Sequence, residues 1–172
     1  MLRDKPAQRR LVHSLGRMIF IGPVSEKSRQ CESILRSLPR WFGVESALLE
    51  YAQSTENYPT FLAQESEDVL AFLTVREHFP ESWEVHCLAV RAERRGEGIG
   101  RALHTHVEQW LALHGVRVLQ VKTMAAAHPS PEYAETRHFY SSIGYLPLEV
   151  FPQFWGPQLH MLQLVKQVQN AI

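Results

Sequence analysis

The segment Arg94-Arg95-Gly96-Glu97-Gly98-Ile99-Gly100 stands between an apolar run, Trp83–Val90, and an amphipathic stretch that begins at Ile99. Glycines at alternate positions let backbone amides crowd together with no side chain between them. Ile99, Leu103, Val107, Trp110 and Leu111 recur at i, i+4, i+8, i+11 and i+12, so a helix starts at the loop, and Gly115 closes it. Such a helix aims its unbonded first-turn amides and the positive end of its dipole at the loop. The product is an anion cradle suited to a pyrophosphate, with Arg94, Arg95 and Arg101 adding charge. Two other phosphate loops are excluded. The spacing is G-x-G-x-G rather than the dinucleotide G-x-G-x-x-G, position 120 is Gln where an acidic ribose ligand would be sought, and no Gly-Lys-Ser/Thr occurs.

The rest of the chain supplies elements around that loop. Met18–Val24 reads as a strand, ended by Gly22-Pro23, and Ser25 is placed to cap a helix carrying Ile34, Leu35 and Leu38 on one face. A second helix is expected from about Val44 to Gln53. Strands at Thr60–Gln64, Val69–Glu77 and Trp83–Val90, with polar turns at 65–68 and 80–82, read as an antiparallel meander. The weak alternation of the middle strand implies burial on both faces. After the loop and its helix come a strand at Val116–Lys122, a helix around Tyr133–Ile143 ended by Gly144, and strands at Tyr145–Phe151 and Leu159–Lys166. The order is β-α-α-β-β-β-α-β-α-β-β: an α/β (α+β) fold with a mixed, mostly antiparallel sheet of about seven strands and helices on both faces. The strand–helix–strand unit at 83–122 should pair its strands in parallel. A single domain is expected at 18–168, preceded by a basic arm at 1–17 without chemistry of its own.

Composition narrows the class. The chain has 172 residues, 18 Lys+Arg, 18 Asp+Glu and a formal net charge of zero. Length alone allows one well-buried core without disulfides or metal. A dedicated nucleic-acid binder would carry a basic excess, so nucleic acid is not an expected partner. The balance is uneven, however: Arg3, Lys5, Arg9, Arg10 and Arg17 face Asp4 alone, leaving the remainder net negative by four. Cys31 and Cys87 are too few for a disulfide framework, which fits a reducing cytoplasm. No stretch approaches 18 apolar residues and no signal-peptide pattern opens the chain, so no membrane role is expected.

Leu88-Ala89-Val90 followed by Arg95-Gly96-Glu97-Gly98-Ile99-Gly100 resembles the acyl-CoA motif of the GNAT N-acetyltransferases, whose core is Arg/Gln-x-x-Gly-x-Gly/Ala. Farther on, Arg137-His138-Phe139-Tyr140-Ser141-Ser142-Ile143-Gly144-Tyr145 is similar to the family's Phe-Tyr-x-x-x-Gly-Phe element, and the element order matches from Met18 to Lys166. The resemblance implies the GNAT fold and an acetyl-CoA-dependent N-acetyltransferase. It implies that acetyl-CoA, as cosubstrate, enters between Trp83–Val90 and Val116–Lys122. Pantetheine would pair with backbone groups of Leu88, Ala89 and Val90, the Val90 amide would polarise the thioester carbonyl, and the pyrophosphate would sit on the amides of Arg95 to Arg101. Arg94, Glu97, Ile99 and Gly100 belong to the same cofactor-binding set.

Acetyl transfer to an amine needs two proton steps: an ammonium of pKa about 10.4 must lose a proton, and a thiolate of pKa about 8.5 must gain one. The resemblance puts the acid at Tyr140, a phenol of ordinary pKa about 10. Tyr145, opening a strand, replaces the family's core Phe and is expected in the core. For the base, alternation puts Glu84, His86 and Leu88 on one strand face. Glu84 lies five residues before Ala89, where some family members carry a base glutamate, whereas His86 is nearer Val90 and has the natural pKa for the task. Glu84, His86 and water stay open as the base. The family's cofactor-contacting Asn, seven residues before the tyrosine, is Tyr133 here.

The loop 128–133 and the aromatic turn around Phe154 and Trp155 are candidates for lining the acceptor pocket, and aromatics there favour an apolar or cationic acceptor. Trp41, Phe42 and Trp110 read as core. His104 and His106 are two apart on a helix and His-Glu-x-x-His is absent, so no metal is expected. The acceptor, a small-molecule or protein amine, is not named by the sequence, and a homodimer stays open. The competing class is a non-catalytic acyl-CoA-binding regulatory module, which would keep the loop without Tyr140 and its partners.

Overall fold

A computed structural model describes residues 17–169, so most of the basic arm lies outside the described residues. Strands β1 (Met18–Val24), β2 (Thr60–Glu65), β3 (Asp68–Phe79), β4 (Ser82–Val90), β5 (Val118–Met124), β6 (Leu146–Phe151) and β7 (Met161–Gln167) form one seven-stranded sheet in the order β1-β2-β3-β4-β5-β7-β6. Helices α1 (Ser28–Arg36), α2 (Glu45–Asn57), α3 (Ile99–Leu113) and α4 (Pro131–Ser142) connect them, with a short 3-10 turn at Ala92–Arg94. The element order and the mixed sheet are those expected from the sequence. The chain divides into two compact units, one built from residues up to Thr74 with Cys87–Val107, the other from Val75–His86 with Glu108 onward.

In the first unit β1 and β2 pair antiparallel, as do β2 and the start of β3. Leu62 stands opposite Phe72, and Phe61 opposite Leu73, so successive residues serve opposite faces. On one face Leu62, Phe72, Cys87 and Ala89 join Cys31, Ile34, Leu35, Leu38, Leu48 and Ala52 of α1 and α2 and the segment after α1 in one buried cluster. On the other, Phe61 and Phe20 meet the His106 ring of α3 at centroid distances of 6.2 and 5.7 Å. Helices on both faces explain why Val69–Val75 is buried without alternation.

Helix α1 starts later than its expected cap. Ser25 does not cap it. The Glu56 carboxylate of α2 accepts instead from the Glu26 and Ser28 amides at 2.8 and 2.9 Å. Those two bonds hold the Glu56 carboxyl below the usual range, and a carboxylate at a helix N-terminus also suits the dipole.

In the second unit β4 and β5 run parallel, with Ser82, Trp83 and Glu84 beside Val118, Leu119 and Gln120. β5 pairs antiparallel with β7 through Met124, and β6 with β7. Strand β5 begins two residues after its expected start because the Arg117 and Val118 amides both donate to the Glu81 carbonyl in the β3–β4 turn. The register puts Trp83, Leu119, Val121 and Leu164 on one face, where Trp83 meets Trp110 edge-on at 6.1 Å. Lys166, on that face, binds Glu108 of α3 at 2.6 Å. The other face is polar: Glu84, Gln120, Lys122 and Gln163 share it, and Gln163 donates to Gln120 at 2.7 Å. Helix α4 starts at Pro131 rather than near Tyr133, since proline suits the first helical position and Ser130 Oγ accepts from the Tyr133 amide.

Candidate active site

The glycine-rich loop has the backbone that the spacing demands. Gly96 and Gly98 adopt φ of +79° and +81°, in the left-handed region that costs other residues about 1–2 kcal/mol. Two such turns bring the chain from the 3-10 turn into α3, whose first intrahelical bond here runs from the Ala102 amide to the Gly98 carbonyl at 3.0 Å. By helix geometry the amides before Ala102 have no helical acceptor, so Ile99, Gly100 and Arg101 supply donors at one end of α3. A Cβ built on Gly96 meets no atom within 4 Å, so the space beside this residue is open. The donor set and the open space fit a pyrophosphate.

The arginines are less available than the sequence implied. Arg94 is held by Glu97 at 2.5 Å and by Glu65 at 3.1 Å. That arrangement offsets the negative charge that Glu97 brings into the glycine-rich loop. Arg95 lies over the Trp41 ring, 4.1 Å from its centroid. Trp41 is half-buried and packs against the core cluster, and a cation of the loop covers its ring. The charge that backbone amides offer is therefore the better-placed part of the cradle.

Leu88, Ala89 and Val90 end β4, with Ala89 buried in the cluster under α1 and α2 and Leu88 and Val90 half-buried on the opposite face. Cys87 is buried in the same cluster, and burial pushes its thiol well up; the Cys31 thiol is pushed up to about 12 by burial. Both are free, inert thiols.

In the second unit Tyr140 lies on α4 and is 5% exposed. Its ring packs edge-on against Phe139 at 5.1 Å and Tyr145 at 5.2 Å. Tyr145 is 1% exposed and lies in the core, and its phenol is pushed far up by burial and by Tyr140 and Glu108. Helix α4 is tied to the end of β5 by Arg137, which donates to the Met124 carbonyl at 2.8 Å. Tyr133, in the position of the family's Asn, stacks edge-on against His128 at 5.5 Å and has its phenol pushed up by burial. Phe154 and Trp155 are exposed and pack edge-on at 5.6 Å.

Glu84 is buried, 6% exposed. His78 Nε2 lies 2.6 Å from Glu84 Oε2, and Lys122 Nζ donates to the same oxygen at 2.9 Å. Burial pushes the carboxyl up, but the hydrogen bonds and charges of His78 and Lys122 outweigh it and hold the group below the usual range. His86, two residues on, is half-buried. Neither His78 nor Lys122 stands out in the sequence, because both depend on which strands are neighbours. The β3–β4 turn and the parallel β4–β5 ladder were the only signals that could have placed them. Among the described residues no group of three His, Cys, Asp or Glu could hold a metal ion. No helix among them is long and apolar enough to cross a membrane.

The comparisons with known proteins agree with this architecture. The sequence profile of the acetyltransferase (GNAT) family matches residues 29–145. No curated protein matches the chain. Among solved structures, a GNAT-family protein of Desulfovibrio desulfuricans superposes with a TM-score of 0.76 at 19% identity, covering 88% of this chain and 99% of that one. An aminoglycoside 6'-N-acetyltransferase complexed with coenzyme A gives 0.70 at 18% identity, covering 90% and 99%. The ribosomal-protein-S18-alanine N-acetyltransferase of Escherichia coli gives 0.70 at 17% identity, covering 90% and 96%. With its glycine-rich loop, its mixed sheet and a family match spanning most of its length, this chain belongs to the GNAT family of acetyltransferases.

Proposed function

We propose that the chain is an acetyl-CoA-dependent N-acetyltransferase that moves an acetyl group to a primary amine by direct attack, with both substrates bound together. The observation that carries this reading is the pair of left-handed glycines, Gly96 and Gly98, opening onto the first-turn amides of α3. Acetyl-CoA supplies an activated acyl thioester. The amides from Arg95 to Arg101 hold the pyrophosphate, and backbone groups of Leu88, Ala89 and Val90 align the pantetheine arm. The Val90 amide stabilises charge on the carbonyl oxygen. An N–C bond forms as the C–S bond breaks, Tyr140 gives its proton to the departing sulfur, and a base takes the proton lost by the amine. Glu84, ionised and buried on β4, is the base this geometry favours, with His86 or a water carrying the proton between them.

The acceptor is an amine of a small molecule or a protein. Solved proteins of similar fold carry out both kinds of reaction, on an aminoglycoside and on a ribosomal-protein alanine. The acidic remainder of the chain and the exposed Phe154–Trp155 pair favour a cationic acceptor. We place the protein in the cytoplasm, where acetyl-CoA and reduced thiols are both at hand.

The test is acetyl-CoA with a panel of amines (spermidine, an aminoglycoside, a lysine peptide and a peptide with an N-terminal alanine), read by release of free CoA thiol. One or more should be acetylated, and Tyr140→Phe should lower that turnover about 10²-fold while leaving cofactor affinity nearly unchanged. An unchanged rate in Tyr140→Phe removes the phenol from the mechanism.

A further inference from the structure

Three ionisable side chains of the second unit converge on a single oxygen, and two of them have no part in the reaction as written above. Glu84 Oε2 receives Lys122 Nζ at 2.9 Å and His78 Nε2 at 2.6 Å. Glu84 Oε1 receives no hydrogen bond among the described residues. The three groups come from three strands, β3, β4 and β5, and the ladder that sets Glu84 beside Gln120 brings Lys122 within reach on the same polar face. A carboxylate bound at one oxygen by two donors cannot rotate freely. Its second oxygen keeps its lone pairs for a group that arrives from outside.

The arrangement differs from an ordinary buried ion pair. Oε1 is not among the buried polar atoms that lack a partner, so it stays within reach of water and of an arriving group. Here the lysine, whose long side chain loses rotamer freedom on ordering, is held on an oxygen already engaged by a histidine. The charges acting on Glu84 are those of Lys122 and His78, and both favour its ionised form. Gln120 on β5 is neutral and is engaged by Gln163.

We propose that Lys122 and His78 are positioning residues: by anchoring Glu84 Oε2 they present Oε1, ionised and in one orientation, as the atom that takes the proton given up by the acceptor amine. This rests on the acetyltransferase reading above and sharpens its choice of base. The proton passes from the amine nitrogen to Oε1, directly or through one water, as the N–C bond forms. The protonated Glu84 returns it to solvent after release of the acetylated product. Lys122 and His78 exchange no proton with the substrates.

The full chain is tested with the panel amine of highest rate, alongside carbon-13 NMR titration of the glutamate carboxyls, with Glu84→Gln assigning the Glu84 signal. The Glu84 signal should titrate below the usual glutamate range in the parent and about one pH unit or more higher in Lys122→Met, with Lys122→Arg restoring it. The acid limb of kcat/KM should move with that midpoint, and Glu84→Gln should lose about 10²-fold in rate. His78→Gln, which keeps a donor, should move both by less. A Glu84 midpoint unmoved in Lys122→Met overturns the proposal. So does an acid limb that stays put while the midpoint moves, or full activity in Glu84→Gln, and in these cases the acetyltransferase reading stands. Failure of every panel amine together with failure to bind acetyl-CoA overturns both. If Lys122→Met does not fold, the Lys122→Arg and His78→Gln titrations decide, and equal midpoints and limbs in all three proteins reject the anchoring role.

Discussion

The loop at 94–101 and the carboxylate at Glu84 solve opposite problems with opposite means. In the function proposed above, the loop has to receive a large anion from water, and it would do so with backbone. Left-handed glycines and helical first-turn amides form the cradle, while Arg94 is occupied by Glu65 and Glu97 and Arg95 lies on Trp41. The Glu84 region has to keep a charge inside a protein, and it does so with side chains from three strands. A backbone cradle depends on conformation, so it should be broken by a β-carbon and tolerate a change of charge. A side-chain cluster should respond the other way.

The largest effect should come from conformation in the loop. Gly98→Val forces a branched residue, bulkier than alanine, to φ of +81° just before α3, and it should weaken acetyl-CoA binding about 100-fold or more by calorimetry. Gly96→Ala meets open space at φ of +79°, so only backbone strain remains, and a loss of about 5–10-fold is expected. Equal effects of the two would show that crowding contributes nothing.

In the carboxylate region, Lys122→Met should lower stability by on the order of 2 kcal/mol, less than for a fully buried pair because Lys122 is partly exposed. The pH dependence follows from the sign of the shift. The Glu84 carboxyl is held below its unfolded value of about 4.3, so its contribution is complete above that pH and is lost as pH falls through the lower folded value. Chemical denaturation of the parent should show this acid-side loss. In Lys122→Met it should be reduced, and an identical pH profile would mean that the lysine does not hold the charge.

The smallest effect is expected at Trp41. Trp41→Ala removes a cation–π contact of about 0.5–1 kcal/mol, so acetyl-CoA affinity should change by no more than about 5-fold in either direction. A loss as large as that of Gly98→Val would transfer the main role in the cradle from backbone to the Arg95 side chain.

The same contrast explains what could be read from the sequence. A loop made by conformation announces itself through glycine spacing, and the helix after it through apolar residues every fourth position, Ile99, Leu103, Val107 and Leu111, all buried. The element order and the parallel β4–β5 pair follow from such local signals. Partnerships across the sheet do not. Ser25 looked like a helix cap because caps are usually local, yet Glu56 performs that task from 28 residues beyond Ser28. Trp41 was legible as a residue packed on the core, but the Arg95 that covers it lies in another segment. Glu84 was legible as a candidate base, but His78 and Lys122 became visible only once strand neighbours were known.

The central claim, that the glycine loop is an acyl-CoA cradle built from backbone, is tested most directly by titrating acetyl-CoA into the parent chain and Gly98→Val and recording heat and thermal midpoint. Stoichiometric binding with a raised midpoint in the parent, and loss of both in a folded Gly98→Val, are the results expected. No heat and no shift in the parent at millimolar acetyl-CoA, or undiminished binding by Gly98→Val, would contradict it.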